Sequence, residues 1–166
     1  MFEEFAGIPA HPLLLHAAVV FVPLLALLTI AYALIPVIRP HTRWVLAVLA
    51  VVAPVSALVT KLSGDAFFAR MDGAGRITDS FRPVIEEHEQ LGNLTLVATM
   101  VLGVLTLALA YLVAPRVVAA AGASAGGGGR LLPLVVRILA IVAAGVSVYF
   151  VVRAGDSGAK AVWTGY

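Results

Sequence analysis

Apolar residues gather in four long blocks along the chain, separated by short polar or basic breaks. The blocks run from about Leu13 to Ile38, Trp44 to Leu62, Leu91 to Val113 and Leu131 to Val152. Each is close to the roughly 20 residues that a helix needs to cross a hydrocarbon core about 30 Å thick. Pro12, Arg39-Pro40, Pro115-Arg116 and Arg153 mark their ends. In a bilayer every backbone N–H and C=O must be paired inside the protein, so the blocks are predicted as helices. The alternating segments of about ten residues that build a membrane barrel are absent. The expected fold is therefore all-α: an integral membrane four-helix bundle forming one domain over residues 1–166.

Composition strengthens this reading. Hydrophobic residues make up 61% of the chain and charged residues 12%, and mean hydropathy is +1.04. A soluble domain is nearer half apolar and a quarter charged. So short a chain with so few polar residues cannot cover a water-soluble globule. That argues against a soluble enzyme, a disordered chain and a nucleic-acid binder, and makes the lipid bilayer the required partner. The formal net charge of +2 adds nothing toward nucleic acid. Cysteine is absent, which removes disulfides, thiolate metal sites, iron–sulfur clusters and covalent c-type haem.

Orientation follows from Lys and Arg in the short loops. With four spans, the N-terminus, the loop 63–90 and the C-terminus share one side. The two short connections on the other side carry Arg39, Arg43, Arg116 and Arg130 and no acid, while all nine acidic residues lie on the first side. Both termini and the long loop are thus expected outside, with the basic connections in the cytoplasm. Arg137, about one and a half turns into the fourth block, is placed to snorkel back to the cytoplasmic interface. Residues 117–130, with the run Ala119–Gly129, read as a flexible cytoplasmic linker. No internal repeat is evident. Glu3 and Glu4 stand where a cleavable signal would carry positive charge, so the N-terminus is taken as mature.

The outer loop has its own punctuation. Phe67, Phe68 and Met71 suggest a short interfacial helix, and Asp72-Gly-Ala-Gly75 a turn. Asp79 or Ser80, with Pro83 just inside, marks a new helix running through His88 into the third block. Phe67, Phe68 and Phe81 make the loop amphipathic and suit it to docking a partner. Trp163 and Tyr166 have the character of interface anchors, or of a frayed tail.

Helices in lipid pack through small and weakly polar residues. His88, Gly92, Thr95, Thr99, Gly103 and Thr106 fall within a sector of about 80° on the third helix. Ser56, Thr60 and Ser63 form a similar face on the second, and Ala140, Ala144 and Ser147 on the fourth. These stripes are expected to face the bundle, and close packing alone accounts for them.

Histidine supplies the candidate chemistry. His41 reads as a solvated residue of the first cytoplasmic connection, and His11, His16 and His88 map to the outer end. An imidazole among apolar helices is costly unless paired or liganded. A metal site drawing on His11, His16, His88 and Asp156 is one expectation, with Glu86, Glu87 and Glu89 near enough in sequence to contribute. His11 and His16 stand about 140° apart around one helix, which is not chelate spacing. A b-type haem asks for less: two axial imidazoles, small residues beside the ring and cations near the propionates. His16 and His88 are the expected axial pair, with Gly92 and Thr95 leaving room, and Lys61, Arg70, Arg76, Arg82 and Arg153 as outer cations. Each imidazole could equally be satisfied by a hydroxyl or a carbonyl.

The opening Gly7-Ile-Pro-Ala-His-Pro-Leu-Leu-Leu-His16, the segment His88-Glu-Gln-Leu-Gly92 and the ending Gly155-Asp-Ser-Gly-Ala-Lys-Ala-Val-Trp163 carry a resemblance. In that order, over nearly the whole chain, they resemble a family of small bacterial four-span membrane proteins catalogued as a domain of unknown function. The resemblance implies an α-helical protein of the bacterial inner (plasma) membrane. Its closing motif is usually Gly-His-Ser-Gly-Ala, and Asp156 stands here at the histidine, which weakens any site relying on that motif and leaves His16 and His88 untouched.

Two functions are carried forward. One is a haem-binding or electron-transfer subunit serving a redox or membrane-complex partner. The other is a non-enzymatic structural or accessory membrane protein that docks a partner through its outer loop. A transporter is weaker, since no acid lies near mid-membrane and no helices are broken in matching halves. Gly-x-Ser-x-Gly and His-Glu-x-x-His are missing, so no hydrolase motif is present, and Ser157 reads as a turn residue after a helix end.

Overall fold

A computed structural model describes residues 4–5, 8–114 and 131–163. Four helices build it: α1 (Ala10–Leu34), α2 (Arg39–Gly73), α3 (Arg82–Leu112) and α4 (Leu131–Trp163). Glu4–Phe5 and Ile8–Pro9 pair antiparallel ahead of α1, with Glu4 opposite Pro9 and Phe5 opposite Ile8. Pro36–Ile38 forms one 3₁₀ turn between α1 and α2. All four helices are long and apolar enough to cross a membrane. The protein is an all-α four-helix bundle and a multi-pass membrane protein, and its environment is a lipid bilayer.

The buried positions explain the packing. In α1 they include Ala18, Val22, Leu25, Thr29 and Tyr32, and in α3 Thr95, Thr99, Leu102, Thr106 and Leu109. In α2 the run is Leu46, Ala50, Ala53 and Ala57, and in α4 Ala140, Ala144, Ser147 and Val151. Every helix therefore repeats a four–three spacing, the seam that packs helices at a shallow left-handed crossing. Interior residues of α2 and α4 are mostly Ala or Ser, which brings backbones close where lipid gives no hydrophobic push between helices. Outward positions such as Leu27, Val51, Val104 and Val142 are large, apolar and exposed, as lipid contact requires. The helices form a ring in chain order, α4 returning to α1, with α1 and α3 meeting sparsely across the diagonal.

Two close approaches follow from proline and glycine. Pro54 has no N–H, so the carbonyl of Ala50 loses its helical donor. That carbonyl turns toward Gly103 of α3, where an added Cβ would lie 2.6 Å from its oxygen and 3.0 Å from Pro54 Cγ. At the end of α1, Arg39 takes the place of missing donors: its Nε donates to Tyr32 O and its Nη2 to Ala33 O, both at 2.9 Å.

Several expected boundaries change. α1 ends at Leu34 rather than near Ile38, because Pro36 interrupts the ladder. α2 begins at Arg39, with Pro40 in its first turn, so His41 is an exposed helical residue and not a loop residue. No separate interfacial helix forms: Phe67, Phe68 and Met71 continue α2 to Gly73. The turn at 72–75 is present, and Gly75 adopts φ 65° there. α3 starts beside Pro83 as expected. α4 runs ten residues beyond Arg153, so Ser157 lies within a helix and not after its end. The linker 117–130 and Tyr166 lie outside the described residues.

Candidate functional site

The starts of α1 and α3 and the ends of α2 and α4 meet at one mouth of the bundle, just beyond the apolar blocks. His11 and His88 come there from diagonal helices, their ring centres 6.2 Å apart and their planes at 77°. Both rings are partly buried. Phe67 of α2 stacks on His11 at 6.5 Å with a 15° interplanar angle.

Each ring is anchored in the same way. His11 Nδ1 lies 3.1 Å from both Thr60 O and Ser63 Oγ of α2. Ser63 Oγ gives its proton to Thr60 O at 2.7 Å. A carbonyl oxygen only accepts and the serine proton is already placed, so His11 Nδ1 is the donor. His88 Nδ1 lies 2.9 Å from Ser157 Oγ of α4, and Ser157 Oγ donates to Ala154 O at 3.0 Å. The same reasoning puts the proton of His88 on Nδ1. Assigned from this network, both imidazoles present Nε2 as a lone pair. Burial pushes both below the usual histidine range, and the neighbouring His88 further opposes protonation of His11. The pair is therefore neutral at neutral pH.

Glycines set the depth of both rings. A Cβ at Gly64 would lie 3.0 Å from His11 Cε1, and one at Gly158 would lie 2.9 Å from His88 Cε1. Histidine of one helix, then Ser-Gly of the next, occurs once in each half of the chain: His11 with Ser63-Gly64, and His88 with Ser157-Gly158. The two helix pairs thus share one side-chain arrangement, although the sequence shows no internal repeat. The signal of that arrangement in the sequence was the two Ser-Gly dipeptides near the outer ends of the even-numbered helices.

The other expected residues are placed differently. His16 is exposed on the outer face of α1, and its Nδ1 lies 2.6 Å from Pro12 O of its own helix. The ring that meets His88 is that of His11. Asp156 is exposed and pairs with Lys160 at 2.7 Å, while its neighbour Ser157 turns inward. Among the described residues no three His, Asp or Glu side chains converge as a metal group, so His11, His16, His88 and Asp156 are not brought together. Thr95 is buried and donates to Leu91 O at 2.8 Å, which commits its hydroxyl to its own helix. Gly92 is half-buried, with open space where a Cβ would stand. Three of the five outer cations meet acids: Lys61 with Asp65, Arg82 with Asp72 at 2.7 Å and Arg153 with Glu87 at 3.8 Å. A small cleft beside His88 is lined by Val84, Glu87, Arg153, Asp156, Ser157 and Lys160.

Comparison with protein-family models, with curated proteins and with solved structures finds no match.

Proposed function

We propose that this chain is a haem-binding or electron-transfer subunit of the bacterial inner membrane, with His11 and His88 as the axial ligands of a b-type haem. The observation that carries the reading is the matched pair of neutral imidazoles from diagonal helices. Metal-bound histidines characteristically give their second N–H to an oxygen, which fixes the ring and its tautomer. Here both Nδ1–H groups are committed in that manner and both Nε2 lone pairs remain. Two imidazoles on opposite sides of one ion, through bonds of about 2.0–2.1 Å, have ring centres roughly 6 Å apart. The separation of 6.2 Å agrees with that spacing. Haem supplies four further ligands, so two histidines suffice where a zinc site would want a third and fourth. Gly92, one turn after His88, leaves space on the same helix face. Arg153 and Lys160 line the neighbouring cleft and are cations that could turn to carboxylates. Membership of the four-span family that the three motifs resemble belongs to the same proposal.

The test is a visible spectrum of the protein expressed with ample haem and purified in detergent. A Soret band with reduced α and β bands is expected, lost in His11→Ala and in His88→Ala and kept in His16→Ala. A colourless wild-type protein, or a spectrum lost only in His16→Ala, overturns the assignment.

A second reading is favoured by the enclosure of the rings between Phe67, Gly64 and Gly158. In it the pair is a clamp joining all four helices at the mouth of an accessory protein whose outer loop docks a membrane partner. A colourless protein whose unfolding temperature drops in both His11→Ala and His88→Ala is its expected signature.

A further inference from the structure

The opposite end of the bundle has a charge arrangement that the mouth lacks. At the mouth, cations meet acids. At the other end stand Arg39, Arg43 and Arg137, and every acid among the described residues is at the mouth end. The connection 115–130 can supply none, because it contains no Asp or Glu. Arg39 is held rigidly by Tyr32 O and Ala33 O through one edge of its guanidinium, with Cζ 5.8 Å from the Tyr32 ring centre. Its Nη1 edge takes no part in those two bonds. Arg137 continues the inward stripe of Ala140, Ala144 and Ser147 toward the same end, on a helix packed against α1, and its Nε is buried without a hydrogen-bond partner.

Two like charges brought together beside a low-dielectric interior repel, and a buried N–H left unpaired costs free energy. Both costs vanish when an anion with several acceptor oxygens sits between the forks. Arginine suits phosphate because its planar donors match phosphate oxygens in pairs. Basic pockets between helices at a membrane surface take lipid head groups for this reason. We propose that Arg39 and Arg137, with Arg43 at the rim, form a binding site for a phosphate group at this end of the bundle. The group belongs either to an anionic phospholipid of that leaflet or to free phosphate. The site is independent of the histidine pair, and neither stands or falls with the other.

The experiment follows thermal unfolding in maltoside micelles, which contain no phosphate. Short-chain phosphatidylglycerol, inorganic phosphate and diacylglycerol are titrated separately. Phosphatidylglycerol is expected to raise the wild-type midpoint saturably by about 2–4 °C, while diacylglycerol leaves it unchanged. A response to phosphatidylglycerol alone assigns the lipid head group, and an equal response to inorganic phosphate assigns the free anion. Arg137→Met is expected to lose the response and, with the repulsion gone, to unfold no lower than wild type in phosphate-free micelles. Arg137→Lys, which keeps the charge without the fork, is expected to recover only part of it. Equal stabilisation by diacylglycerol, or a full response in Arg137→Met, overturns the proposal.

Discussion

At the scale of single residues, the mouth is governed by what glycine leaves out. Gly158 is helical and needs no unusual backbone angle; its role is to let His88 lie against α4. A methyl there would meet Cε1 at 2.9 Å, and the ring cannot retreat without giving up Ser157 Oγ. Gly158→Ala is expected to lower stability by about 1–3 kcal/mol, the usual cost of overpacking. Gly145→Ala, on an exposed face of α4 with nothing within 4 Å of the new methyl, is expected to be neutral or stabilising. Chemical or thermal unfolding of the two variants in one detergent decides the matter. Equal effects would show that His88 is not seated as described. His11 illustrates how little of such a site can be read beforehand. Its place one residue before Pro12 resembles a helix entrance, and only the end of α2 converts it into a fixed ligand-like ring.

At the scale of elements, the bundle is held by small-residue seams, and α2 and α3 approach closely at Gly103. A proline in one helix frees a carbonyl, and a glycine in the other lets that carbonyl approach. Gly103→Ala sets a methyl 2.6 Å from Ala50 O. Backbone does not yield as a flexible side chain does, so α2 and α3 must separate. A loss of about 1–3 kcal/mol is expected, with an unfolding midpoint lower than that of Gly92→Ala, where the space is open. A variant as stable as wild type would mean that the helices are not in contact at Pro54. Gly103 and the threonine stripe were legible as an inward face from periodicity alone. Their depth was not, because which helix supplies the opposing carbonyl depends on the order of helices around the ring.

At the scale of the whole molecule, the separation of charge between the two ends sets the expected orientation. Basic connections without acids are retained in the cytoplasm. The chain has no cysteine, so single cysteines can report sidedness without background. In intact cells Asp79→Cys is expected to react with an impermeant maleimide and His41→Cys only after the membrane is opened. The reverse pattern would invert the bundle and put the phosphate site outside. Both positions are exposed, so access is not limited by packing.

Hydropathy, charge and the 3.6-residue period act over one helix at a time. They were enough to set the four helices, their inward stripes and the end of the bundle that carries His11, His16 and His88. Contacts between helices are of another kind. Whether His16 or His11 turns toward His88 is decided by a rotation of α1 about its axis, and that rotation is settled by the seam from Ala18 to Tyr32 packing against its neighbours. The same holds for Arg39 and Arg137, each an ordinary interfacial arginine in the sequence. Only the return of α4 to α1 places their charges together with no acid between them.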